Sequence, residues 1–148
     1  MFEKDPSMAL TRLEKIALSI SGITALGIGG FILVAPHTFY ASYGITLGND
    51  PSLLSELRAP AAGLAALGFM MLAGIARPAW SQLSISAALI VFLAFPAGRL
   101  VGLVADGLPS GGIIGALIFE LATAALCLAA FHHRLWPRAS ARNQPIVT

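Results

Sequence analysis

The chain has 148 residues, 57% hydrophobic and 11% charged, with a mean hydropathy of +0.82 and a formal net charge of +2. Soluble domains carry roughly a quarter charged residues, so this composition excludes an ordinary water-soluble globule and points to the bilayer as solvent. The single cysteine, Cys127, excludes an intramolecular disulfide and a thiol zinc cluster, and no basic stretch interleaved with aromatics offers a nucleic-acid surface.

Residues 1–10 read as a frayed start. They mix charges of both signs, and the apolar stretch after them is longer than a signal-peptide core, so no cleaved leader is expected. The first apolar segment spans 16–34 and carries Ser21, Ala25 and Gly29 at four-residue spacing. Its Gly27-Ile28-Gly29-Gly30 run lies mid-span, which rules out a phosphate loop. The connection at 37–49 holds Phe39, Tyr40, Tyr43, Ile45 and Leu47, too apolar for a free loop, and is expected in the membrane interface.

A second segment spans 52–75, and Arg77-Pro78 marks the turn after it. The third, 83–105, carries twelve Leu, Ile, Val or Phe residues against one arginine, Arg99. At about −0.3 to −0.6 kcal/mol each they outweigh a charge costing roughly 2.5–3.5 kcal/mol. Pro96 predicts a kink with a freed carbonyl near Arg99. After the turn residues 108–112 comes the fourth segment, 113–131, and a basic tail from 133. Each segment has about the length needed to cross a hydrocarbon core of about 30 Å, and lipid requires that such runs be helices. The predicted fold is all-α: a single domain (1–148) of four transmembrane helices. Small residues at Ala94, Gly98 and Gly102, and at Gly111 and Gly115, predict close packing within the bundle, with homodimerisation as the other use of such stripes.

Basic residues set the orientation. Lys4, Arg12 and Lys15 precede the first segment, Arg77 lies between the second and third, and Arg134, Arg138 and Arg142 follow the fourth. The other two connections carry no Lys or Arg. The positive-inside rule then puts both termini in the cytoplasm of a bacterial-type inner membrane. Trp80 and Trp136 fall at the inner interface, Tyr40 and Tyr43 at the outer.

The remaining charges are the candidate site. At 1.5 Å per residue, Arg58, Arg99 and Glu120 each lie about 9–10 Å inside the outer ends of their helices. Glu56 is slightly shallower, and Asp106 closes the third segment on the face of Arg99. Charges within spans are functional candidates by default. The expectation is an interior cluster of Glu120 with Arg58 and Arg99, with Glu56 and Asp106 nearby and Tyr40 or Tyr43 at its mouth. The rival expectations are arginines snorkelling to headgroups and a purely structural ion pair. His37 and the pair His132 and His133 fall at opposite ends, so no metal or haem site is expected and no cofactor is implied. Cys127 is read as packing.

Three short motifs carry a family resemblance: Glu56-Leu57-Arg58-Ala59 with Gly63; Gly98-Arg99-Leu100-Val101-Gly102-Leu103 followed by Asp106-Gly107; and Glu120-Leu121. With Pro36 after the first segment, the chain resembles, over about residues 12–131, the bacterial four-helix membrane proteins grouped as domain of unknown function 4345. The resemblance implies a small integral membrane protein and no assigned reaction. The leading functional expectation is therefore non-enzymatic: an accessory protein, or one binding a lipid or small amphiphile at the charged cluster. Partners would be the bilayer, such a ligand, and a second copy or another membrane protein. A transporter or channel using Glu120 comes next, and a lipid-directed enzyme using Glu56 and Glu120 as paired acids comes third.

Overall fold

The computed structural model describes residues 9–135. Helix α1 runs Arg12–Val34, a short α2 covers Pro36–Ala41, and α3 runs Pro51–Ala76. A 3₁₀ turn at Pro78–Trp80 leads into α4, Ser81–Ala105, and α5 covers Gly111–Leu135. The described residues contain no strand. Four helices are long and apolar enough to cross a membrane, and only 28–39% of the most apolar window in each is buried by the protein itself. The rest presents Ile, Leu, Val and Phe outward, including Ile23, Phe69, Ile90, Val101 and Ile118. A multi-pass membrane protein offers such a perimeter to acyl chains, because lipid replaces water as the outer solvent.

Around the ring the order is α1, α3, α4, α5, with α5 closing against α1. The start of α1 and the end of α5 meet at one end, called here the terminal end; α2 and the α4–α5 turn form the loop end. Several boundaries differ from the sequence expectation. Helix α1 begins four residues earlier because Thr11 and Glu14 form a reciprocal capping box. Helix α3 opens at Pro51 behind Asp50, whose side chain accepts from Ser52 N. Helix α5 continues to Leu135, so His133 and Arg134 are helical rather than the start of a tail; the tail beyond lies outside the described residues.

The α1–α3 crossing is the closest. A Cβ added at Gly29 would lie 2.5 Å from the Ala61 carbonyl oxygen and 2.6 Å from Ala65 N. One added at Gly68 would collide with Leu26 N in the α1 backbone. Two backbones approach this way only where side chains vanish, and dispersion between them replaces the missing hydrophobic drive. The predicted Ser21, Ala25 and Gly29 stripe is thus buried, with Gly29 against Ala61 and Ala65 of α3 and Ser21 beside Cys127 of α5. The other stripes behave differently. Ala94, Gly98, Gly111 and Gly115 are exposed, and an added Cβ at any of the three glycines meets nothing within 4 Å. The expectation that these residues pack inside the bundle is corrected: they lie on the outer faces of α4 and α5, because Val91, Phe92, Leu117, Thr123 and Ala124 occupy the inner faces.

Helix α4 passes Pro96 without interruption, and α3 passes Pro60. Ser84 anchors α4 to α3, its Oγ lying 2.7 Å from the Met70 carbonyl oxygen as well as 3.0 Å from that of Trp80. The core between the helices is built from Leu18, Met71, Ile85, Phe92 and Phe131 with small residues between them.

Candidate functional site

Glu120 sits two and a half turns into α5, on the face it shares with Leu117, Thr123, Ala124 and Cys127, all buried. That face meets α4, and Arg99 lies opposite. The Arg99 Nε donates to both carboxylate oxygens, at 3.0 Å to Oε1 and 2.8 Å to Oε2. The Glu120 side chain is 10% exposed and that of Arg99 29%. Burial in a low dielectric would make either charge costly alone; paired, each satisfies the other. Among the described residues no other group hydrogen-bonds the Arg99 side chain, so the four N–H bonds on its terminal nitrogens stay uncommitted.

The other predicted members do not join. Arg58 is at the expected depth but on the wrong azimuth. Three and seven residues after it come Ala61 and Ala65, which face α1. Its Nε accordingly donates to the Leu33 carbonyl in the last turn of α1, 3.1 Å away. A guanidinium is favourable at a helix C-terminus, where the last carbonyls lack partners. Glu56 is exposed and makes no side-chain hydrogen bond among the described residues; Gly63, on its face, is open too. The expected Glu120–Arg58–Arg99 triad is therefore corrected to a pair, because α3 turns its charges toward α1 and the perimeter rather than across the ring to α5.

Beside the pair lies a cavity of about 200 Å³. Its walls are Thr24 and Ile28 of α1, Leu64 of α3, Phe92 and Phe95 of α4, and Ala116 and Phe119 of α5; Arg99 and Glu120 are its charged wall. Phe39 and Tyr43 cover it from the loop end. The covering rings support one another: Phe39 has its centroid 5.3 Å from those of Tyr40 and Tyr43 and 5.6 Å from that of Phe31. Ser110 Oγ donates to the Tyr43 carbonyl at 2.9 Å, tying this cover to the α4–α5 turn. Of the two tyrosines expected at the mouth, Tyr43 lines the cavity; Tyr40 instead packs behind Phe39. Phe39 was not singled out in the sequence, where nothing separates it from its aromatic neighbours. Pro96 has no N–H to give the Phe92 carbonyl, a residue of the cavity wall.

A second cavity, about 310 Å³, lies on the other side of Arg99. Gly102 and Leu103 of α4, its C-cap Asp106, Gly107 to Pro109 of the turn, and Ile113, Ile114 and Leu117 of α5 line it. Arg99 is the one residue common to the two cavities.

The terminal end holds a second ion cluster, absent from the sequence-based site. Glu14 is fully buried. Arg134 donates to both of its carboxylate oxygens, through Nε to Oε1 and through Nη2 to Oε2 at 3.1 Å, and the same Nη2 reaches the Ala9 carbonyl at 3.0 Å. His133 Nε2 is 3.4 Å from Oε1. Glu14 also accepts from Thr11 N at 2.6 Å. The signal available in sequence was Thr11-x-x-Glu14 just ahead of an apolar run, a capping-box signature. Between the clusters, Ser21 Oγ and Cys127 Sγ are 3.3 Å apart in the core. No group of three or more His, Cys, Asp or Glu able to hold a metal occurs among the described residues.

No curated protein and no solved structure is detectably similar to the chain. Residues 13–131, which contain the Arg99–Glu120 pair and both cavities but stop short of Arg134, match a family profile described only as a domain of unknown function. The match covers most of the chain, and the protein belongs to that family, domain of unknown function 4345.

Proposed function

We propose that this protein binds a lipid or other small amphiphile in the membrane, in the cavity beside Arg99 and Glu120. One observation carries the reading: an otherwise apolar, aromatic-covered cavity has a single charged wall, and the arginine there has donors to spare. Apolar pockets with a few convergent polar groups are the usual form of small-molecule sites. At about 200 Å³, the space exceeds the roughly 150 Å³ cavity that admits benzene. Protein extracted in mild detergent is expected to retain one amphiphile per chain, detected by native mass spectrometry. Ala116→Phe, which fills the cavity, should strip it; equal retention by variant and wild type sinks the reading.

The same proposal places the protein in a bacterial-type cytoplasmic membrane with both described ends inside. Arg12, Lys15, Arg77 and Arg134 at the terminal end support this, against a loop end whose connections lack Lys and Arg. Gly48→Cys should react with an impermeant thiol reagent from outside intact cells. Reaction only after lysis reverses the orientation.

Transport through Glu120 is the second reading. The buried face of α5 carries Glu120, Thr123 and Cys127 toward Arg134. Against it, Thr123 donates back to the Phe119 carbonyl at 2.9 Å, and the buried Ala130 and Phe131 fill the interval before Arg134. Paired-acid chemistry has less support, because Glu56 lies outside the cavity.

A further inference from the structure

We infer that the headgroup bound here is zwitterionic, an ammonium–phosphate ester carrying a primary amine, seated in the second cavity between Arg99 and Asp106. The inference rests on the amphiphile-binding reading and adds the chemistry of the head.

Charge balance comes first. Arg99 is neutralised by Glu120, and the second cavity adds one further charge, the Asp106 carboxylate. Its oxygen folds back over α4, 3.8 Å from where a Cβ at Gly102 would be. The cavity's net charge is therefore negative, which disfavours a purely anionic head. Asp106 is also the C-cap of α4, a helix with no basic residue in its last turn. A carboxylate there opposes the helix dipole, and no cation among the described residues compensates it. Carboxylate and helix end together make a cation site.

A simple cation, however, leaves the four free N–H bonds of Arg99 unused. A phosphate takes them, in the paired geometry guanidinium favours. Asp106 follows Arg99 by seven residues, on the same face of α4, with Gly102 between them leaving the space clear. A head with an anion at one end and an ammonium at the other matches this order. The amine is primary because the second cavity has no aromatic wall. Quaternary ammonium groups are held by aromatic cages, whereas a primary ammonium brings three N–H donors for a carboxylate. The apolar end of the ligand is assigned to the first cavity, which shares Arg99 with the second.

The test uses purified full-length protein in detergent with an equimolar mixture of phosphatidylethanolamine, phosphatidylcholine and phosphatidylglycerol of identical acyl chains, read by native mass spectrometry. Wild type is expected to retain the ethanolamine lipid over each of the others by about tenfold, the lower end of what a hydrogen bond to a charged group gives. Asp106→Asn, an exposed position, should lower retention of the ethanolamine lipid to the level of the other two and so lose that preference. Excess soluble glycerophosphoethanolamine distinguishes sources: displacement identifies the water-soluble ester, and persistence identifies the membrane lipid, each with the head chemistry proposed. Equal retention of all three lipids, still abolished by Ala116→Phe, overturns the zwitterion and leaves the amphiphile pocket standing. Retention that Ala116→Phe does not change overturns both.

Discussion

Arg134→Leu is expected to destabilise the protein by about 3–5 kcal/mol, the loss seen when one partner of a buried pair is removed. The reason is Glu14. Its carboxylate has no exposed surface and takes two hydrogen bonds from Arg134. Removing the guanidinium leaves the His133 imidazole, its Nε2 3.4 Å away, as the one other basic side chain within reach among the described residues, and the buried charge loses most of its stabilisation. The same change frees the Ala9 carbonyl and loosens the start of α1. The double variant Glu14→Leu with Arg134→Leu should recover a large part of the loss, because no charge is then stranded. Denaturation in detergent micelles measures both. Additive losses in the double variant would show that the two residues act separately.

Arg99→Leu is the second large effect, expected at about 3 kcal/mol, the low end of the same range. Glu120 keeps 10% of its side-chain surface, so some solvent or headgroup contact remains to soften the loss. Arg99→Leu with Glu120→Leu should be milder than Arg99→Leu alone. The measurement is a thermal melt in detergent of wild type, both singles and the double; a double variant as poor as the sum of the singles denies the pairing. The two ion pairs differ in one further respect. The Arg134 pair joins α5 to α1 and touches no described cavity, so its loss should leave lipid retention per folded molecule unchanged. The Arg99 pair is the charged wall of a cavity, so its loss should lower retention even where the fold survives.

The helices were legible because lipid permits few solutions. Long apolar runs in 16–34, 52–75, 83–105 and 113–131 had to be helical, and the structure places a helix over each of them. Depth was legible too, since rise per residue is fixed, and it brought Arg99 and Glu120 to one level. Azimuth was not. Which side of α3 faces α1 depends on where Gly29 and Gly68 let the backbones touch, and that contact turned Arg58 toward Leu33 and Glu56 outward. A stripe of small residues carries the same ambiguity. The pattern in α1 is buried while that in α4 is exposed, because spacing alone does not say whether a partner is opposite. Glu14 escaped attention because it precedes the apolar run, yet the capping box carries the helix one turn further and buries it.

The clasp between Glu14 and Arg134 has a consequence for biogenesis. Its two halves are 120 positions apart in the chain. The α1–α3 hairpin can close by shape alone, through glycine and alanine, as soon as both segments have left the ribosome. The acid at its base must wait until the last helix has been threaded into the bilayer. Until then the nascent protein lacks the guanidinium that matches its Glu14 carboxylate, so the clasp can form only as the last step of assembly.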